Sequence, residues 1–217
     1  MASTQTDEGD RSIPWESPVL RVVLLSTLLA PLGVPLISPA LPVIRDGLGL
    51  TDVQASILIS GYFLTGIVLS PVIGLLTDRL GRRRVLVPSL FVFAITGATI
   101  AVAPPFAVVL AIRIVQGTAA AGIFIATVTL IGDAFAGNRR NVVLGTNTAV
   151  LSIGAAIYPL LGGALAGVAW NAPFVAYLGG LPVAALAAVG LPETGGDRDV
   201  GGRIYVRDVL STITLRE

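Results

Sequence analysis

Cysteine, histidine and lysine are all absent from the 217 residues. Without cysteine there is no disulfide and no thiolate site. Without histidine there is no Ser-His-Asp or Cys-His nucleophile, no imidazole metal ligand and no imidazole proton relay. Without lysine a Walker-type phosphate loop is excluded. Charge is scarce as well: acidic and basic residues make up 12% of the chain, where a soluble domain carries roughly 25%. So little charge does not cover a water-facing surface. The formal net charge of +1 suggests no bulk attraction to nucleic acid.

What the chain does have is hydrophobic residues, 54% of the total, in runs of about 20, the length that crosses roughly 30 Å of hydrocarbon. Six runs are read, over Val19–Ile44, Val53–Leu76, Val85–Ala103, Phe106–Ile131, Val142–Val168 and Pro173–Leu191. Each is expected to be a helix, because an open strand in lipid leaves its backbone groups unpaired. The alternating segments of about 10 residues that mark a membrane barrel are missing. The expectation is an all-α membrane protein: a cytoplasmic tail (1–18), a six-helix bundle (19–191) and a cytoplasmic linker (192–217). The first residues, "MASTQTDEGDRSIPWE", are polar and acidic and lack the basic start of a signal peptide.

Arginine sets the orientation. Arg79, Arg82, Arg83 and Arg84 follow the second run, Arg139 and Arg140 the fourth, and Arg198, Arg203, Arg207 and Arg216 the sixth; Arg11 and Arg21 lie near the start. All of these fall on one side. Arg45 falls on the other, and Arg113 lies inside the fourth run. Arginine accumulates on the cytoplasmic face, so both termini are placed there, in the plasma membrane; basic content made of arginine alone fits a GC-rich prokaryote.

Several features speak to packing and site. Pro31, Pro35, Pro39 and Pro42 interrupt the first run, and each removes a backbone donor. Gly61, Gly66 and the stretch Gly117–Gly122 allow close helix approach. "SPVIG" (70–74) and "YPLLG" (158–162) hint at a three-plus-three repeat of the kind transporters carry. Arg113 lies on the order of 10 Å inside its helix, and burying its charge costs about 2.5–3.5 kcal/mol on insertion scales. Gln116, three residues on, shares its face. Two readings are open: the pair lines a substrate or ion path, or Arg113 is a structural hub holding carbonyls of the proline-broken first span. All 13 carboxylates lie outside the span centres, Asp46 and Asp52 at the outer mouth and Asp78 and Asp133 at the inner one. A proton carrier within the membrane is therefore not evident.

Three motifs resemble one family. The turn Gly74-Leu-Leu-Thr-Asp78-Arg79-Leu-Gly81-Arg82-Arg83-Arg84 looks like the loop between helices 2 and 3 of the major facilitator superfamily. Arg113-Ile-Val-Gln116-Gly117 resembles its fourth-helix motif. Gly154-Ala-Ala-Ile-Tyr158-Pro159-Leu-Leu-Gly162-Gly163 resembles the fifth-helix motif of its drug:proton antiporter branch, with Tyr158 where glycine is expected. "WNAPF" (170–174) and "LPET" (191–194) sit at the ends of the sixth span as in family members.

The resemblance covers nearly the whole chain and implies the N-terminal six-helix half of a transporter that works by alternating access, with no cofactor and no enzymatic step. It implies that Gly74, Asp78, Arg79, Gly81, Arg82, Arg83 and Asp133 form a cytoplasmic gating loop. Arg113 and Gln116 would line the path. Gly154, Pro159, Gly162 and Gly163 would let the fifth span bend and pack. The expected partners are lipid, a small solute, possible drug-like cargo for efflux, and a second six-helix half or another copy of the chain, since the sequence stops before an expected seventh helix. A truncated, non-transporting scaffold or gene remnant is the alternative. "LPETG" (191–195) also matches a sortase signal, but the polar segment after it cannot span a membrane. Residues 203–217 are read as a short amphipathic surface helix.

Overall fold

Four prolines between residues 31 and 42 make an unbroken first helix impossible, and the structure divides there. A computed structural model describes residues 12–192. Most of the two flanking segments assigned to the cytoplasm, the "LPET" end and the surface helix over 203–217 lie outside the described residues. The first span is α1, Pro18–Leu29, a 3-10 turn Ala30–Leu32, eight residues of turn, and α2, Leu41–Gly47. Four long elements follow: α3 (Asp52–Leu80), α4 (Arg82–Thr99, extended by a 3-10 turn to Val102), α5 (Phe106–Ala134) and α6 (Gly137–Val168). The sixth span is composite: α7 (Ala172–Val175), a 3-10 turn Ala176–Gly179 and α8 (Gly180–Gly190). All regular structure among the described residues is helical, and five stretches are long and apolar enough to cross a bilayer. The broken first span is the sixth element of the bundle.

Local chemistry accounts for the boundaries. Ser17 Oγ accepts the Leu20 amide at the start of α1, with Pro18 in the first helical position, where its missing N–H costs nothing. Thr51 and Gln54 form a reciprocal capping box on α3. Between α3 and α4, Gly81 adopts φ 97°, a conformation that a side chain resists. The spacing of "RLGRRR" thus serves a one-residue turn between two antiparallel spans.

The core lies where α5 packs between α3 and α4, with α1 against α5, α6 and α8. Leu86, Leu90, Phe93, Val109, Ile123 and Ala126 are fully buried there. In a membrane no water is expelled by this packing, so closeness of approach supplies much of the stabilisation. A Cβ on Gly117 would lie 2.1 Å from the Tyr62 carbonyl oxygen, and one on Gly162 1.8 Å from that of Leu36. These glycines bring α5 onto α3, and α6 onto the turn of the first span. By contrast, nothing lies within 4 Å of a Cβ placed on Gly163 or Gly74. Gly117→Val should therefore lower the melting temperature of the purified chain by the equivalent of about 1–3 kcal/mol or more. Gly163→Ala should leave it in place. Equal melting of the two variants in the same detergent would refute the close contact.

Candidate functional site

The turn in the first span leaves carbonyls that a continuous helix would have satisfied. The Ile37 amide, which would have reached Gly33, donates instead to Val34 at 3.0 Å. Arg113 of α5 takes up the vacancy. Its Nη1 donates to Gly33 O at 3.1 Å and to Gln116 Oε1 at 3.0 Å, with Tyr177 Oη at 3.5 Å. Tyr177, on the 3-10 turn of the sixth span, donates its own hydroxyl to Leu32 O at 2.6 Å. Gln116 completes the ring by donating from Nε2 to Phe93 O of α4 at 3.4 Å. Four spans meet at this point.

The arrangement explains how a charge survives there. Arg113 is 2% exposed and Gln116 0%. Among the described residues Arg113 has no carboxylate partner. Its stabilisation comes from hydrogen bonds to a charged donor, each worth about 1.5–3 kcal/mol, and from two aromatic faces. The guanidinium carbon lies 5.9 Å from the ring centres of both Tyr62 and Phe174. Gly97 makes room, since a Cβ there would strike the Tyr177 ring at 2.4 Å and Gln116 Nε2 at 2.5 Å. Two buried polar residues join α1 to α6 elsewhere in the bundle: Thr27 Oγ1 donates to Asn147 Oδ1 at 2.7 Å.

The predicted loop residues converge at the other end. Arg82 Nε lies 2.7 Å from Asp133 Oδ2 at the end of α5, and Arg82 Nη2 lies 3.6 Å from Asp78 Oδ1. Arg83 donates to the Ala188 carbonyl of α8. Arg79 and Arg84 are exposed beside them. Gly74 stands in open space, so its place in the motif has no packing reason within this chain. Of the fifth-span residues, Gly154 lies against Pro31, with a Cβ distance of 3.0 Å, Gly162 against Leu36, and Pro159 sits inside α6. On the opposite face of the bundle Arg45 pairs with Asp46 at 2.7 Å and with Asp52 at 2.5 Å. Hydrogen bonds to Asp52 and then Asp46 raise the Arg45 pKa. Both carboxylates are exposed partners of this one cation.

Sequence reading found Arg113, Gln116 and the loop. It did not single out Tyr177 or Tyr62, and it met Phe174 only as the last letter of "WNAPF". The available signal was Tyr177, the one residue of the sixth span with a side-chain hydroxyl.

Comparison with known proteins places the family. Residues 23–203 match the family description Major Facilitator Superfamily. The chain is 34% identical over 162 residues to the bacillibactin exporter of Bacillus subtilis (strain 168), covering 70% of this chain and 40% of that protein. It is 29% identical over 153 residues to the quinolone resistance protein NorA of Staphylococcus aureus (strain MRSA252), covering 70% and 39% respectively. The human organic anion transporter MFSD10 (TETRAN) shares the fold, with a TM-score of 0.61 at 23% identity over 88% of this chain and 52% of that one. The chain therefore spans about 40% of the length of these bacterial relatives. By the family match and by the helices it forms, the chain belongs to the major facilitator superfamily.

Proposed function

We propose that the chain forms the N-terminal six-helix half of an exporter that moves a small organic solute across the plasma membrane by alternating access. The observation that carries this reading is a carboxylate-free guanidinium, sealed in the membrane-spanning bundle, at the break of a transmembrane helix. A charge at that depth is costly and marks a pathway by default. Broken helices line the routes of many transporters. Arg113 and Gln116 bound the solute route by holding the carbonyl-rich turn of the first span, whose Ser38 and Pro39 are exposed. Export, in place of uptake, follows the bacillibactin exporter of Bacillus subtilis, and the quinolone resistance of the Staphylococcus aureus relative is what efflux would produce.

The inner cluster supports a gating role. Arg82, Arg83 and Arg84 occupy the first turn of α4, where the helix dipole disfavours cations, and Asp78 lies near the C-terminus of α3, where it disfavours anions. Local helix energetics therefore argue against both placements. Pairing across the turn, and arginine retention on the cytoplasmic face, argue for them. The Asp78–Arg82–Asp133 cluster is the latch, and its remaining partner belongs to a second six-helix half. A coupling proton would be carried by a group of that half or by the exposed Asp46 or Asp52 beside Arg45.

Two assays, cysteine labelling and solute accumulation, test this. The cysteine-free chain accepts single cysteines cleanly. An impermeant maleimide should label Val53→Cys on intact cells and reach Leu80→Cys only after lysis; the opposite pattern inverts the orientation. Cells expressing the chain with a second six-helix half should accumulate less quinolone than cells with the second half alone, and equal accumulation counts against export of that class. In the same assay Arg113→Met takes the guanidinium away from Gly33 O and Gln116 Oε1, a loss of about 1–3 kcal/mol, and should cut export roughly tenfold or more. Asp133→Arg should impair export, and Arg82→Asp added to it should restore part of the loss. A double variant no better than the single one would remove the latch.

A further inference from the structure

We infer that Arg83 is the C-terminal cap of the sixth span: its guanidinium replaces a backbone amide that Pro192 cannot supply, and so fixes where the chain leaves the bundle. An α-helix leaves its last carbonyls without partners in the helix. In α8 the Leu191 amide closes a last bond to Ala187 O at 3.3 Å. The next carbonyl, that of Ala188, would be met by the amide of residue 192. Residue 192 is proline and has none. The left-handed residue that closes many helices is not used either, because Leu191 leaves in extended backbone, with φ −93° and ψ 132°. Nor does α8 carry a basic residue in its own last turn.

Arg83 supplies what is missing. Its Nη2 donates to Ala188 O. The two helices run in opposite directions: Gly180, at the start of α8, lies against Ala94, while the last turn of α8 meets the first turn of α4. A cation in the first turn of its own helix is disfavoured by the helix dipole. At the C-terminus of α8 the same cation is favoured. Ala188 is half-buried, and Leu191 beyond it is 3% exposed in the core, so a carbonyl left unpaired there is costly.

"GRRR" and the start of "LPET" thus belong to one device, in which the proline removes a donor and the arginine restores it. Adjacent arginines reach different spans, Arg82 to Asp133 of α5 and Arg83 to α8. The loop that carries Asp78 is thereby tied to the exit of the sixth span. Arg83 acts through the Ala188 carbonyl and is a positioning residue. The cap rests on hydrogen bonding and stands whether or not the chain exports a solute.

The test is hydrogen exchange of the full chain in lipid nanodiscs. Arg83→Met keeps an unbranched apolar stem and removes the donors. Amides of 189–191 should exchange about three- to tenfold faster, and those of 113–126 in α5 should keep their rate. Pro192→Ala, added to Arg83→Met, offers the Ala188 carbonyl a backbone amide. It should return exchange of 189–191 to within about twofold of the unaltered chain. No rise in Arg83→Met, an equal rise in α5, or a double variant as fast as the single one overturns the cap. If Arg83→Met does not fold, Pro192→Ala should restore folding, and a double variant that stays unfolded overturns the cap as well. Rescue by an uncharged residue separates capping from a purely electrostatic role of the arginine.

Discussion

One guanidinium organises this bundle. The first span cannot be a helix through its prolines, and the carbonyls set free there lie where lipid offers no hydrogen bond. Arg113 meets them from α5, Gln116 ties the same group to α4, and Tyr177 draws in the sixth span. Each partner solves the other's problem. The cation needs acceptors at a depth where water is scarce, and the broken backbone needs donors that its own chain no longer supplies. Glycines at 97 and 117 exist in this arrangement because a side chain at either would push the participating spans apart.

The inner end of the bundle runs on a different balance. Its ion pairs are partly exposed: Arg82 is 18% accessible and Asp133 43%. Pairs of that kind contribute little to stability in isolation. The buried hub and this exposed cluster thus differ in kind, the first holding four spans together and the second adding little to that hold.

Much of this was legible in the residues. Run length and arginine spacing delivered six spans, and "GLLTDRLGRRR" and "RIVQG" pointed to the loop and to Arg113. The break in the first span was implied by its prolines, though where the helix resumes, at Leu41, was not. Less legible was the sixth span, in which a 3-10 turn bends the backbone and presents Tyr177 to the hub. No periodic pattern signals such a turn. Aromatic residues around Arg113 were equally silent, because Tyr62, Phe174 and Tyr177 come from two different spans and meet only after packing. The motifs suggested a packing role for Gly163 and a place in the gating loop for Gly74, and this chain brings no neighbour to either.

By itself the sequence determined the solvent in which the chain lives and the number of its crossings, and it set the expectation of which face its arginines keep to. Those are one-dimensional properties: hydrophobic length, donor-free prolines and the cost of moving arginine through lipid. Tertiary structure alone decided which carbonyl Arg113 holds, that Tyr177 stands beside it, and that Arg82 prefers Asp133 to its nearer neighbour in the chain, Asp78. A hydrogen bond depends on ångström-scale distance and direction, and residues 80 positions apart acquire those only when helices close on one another.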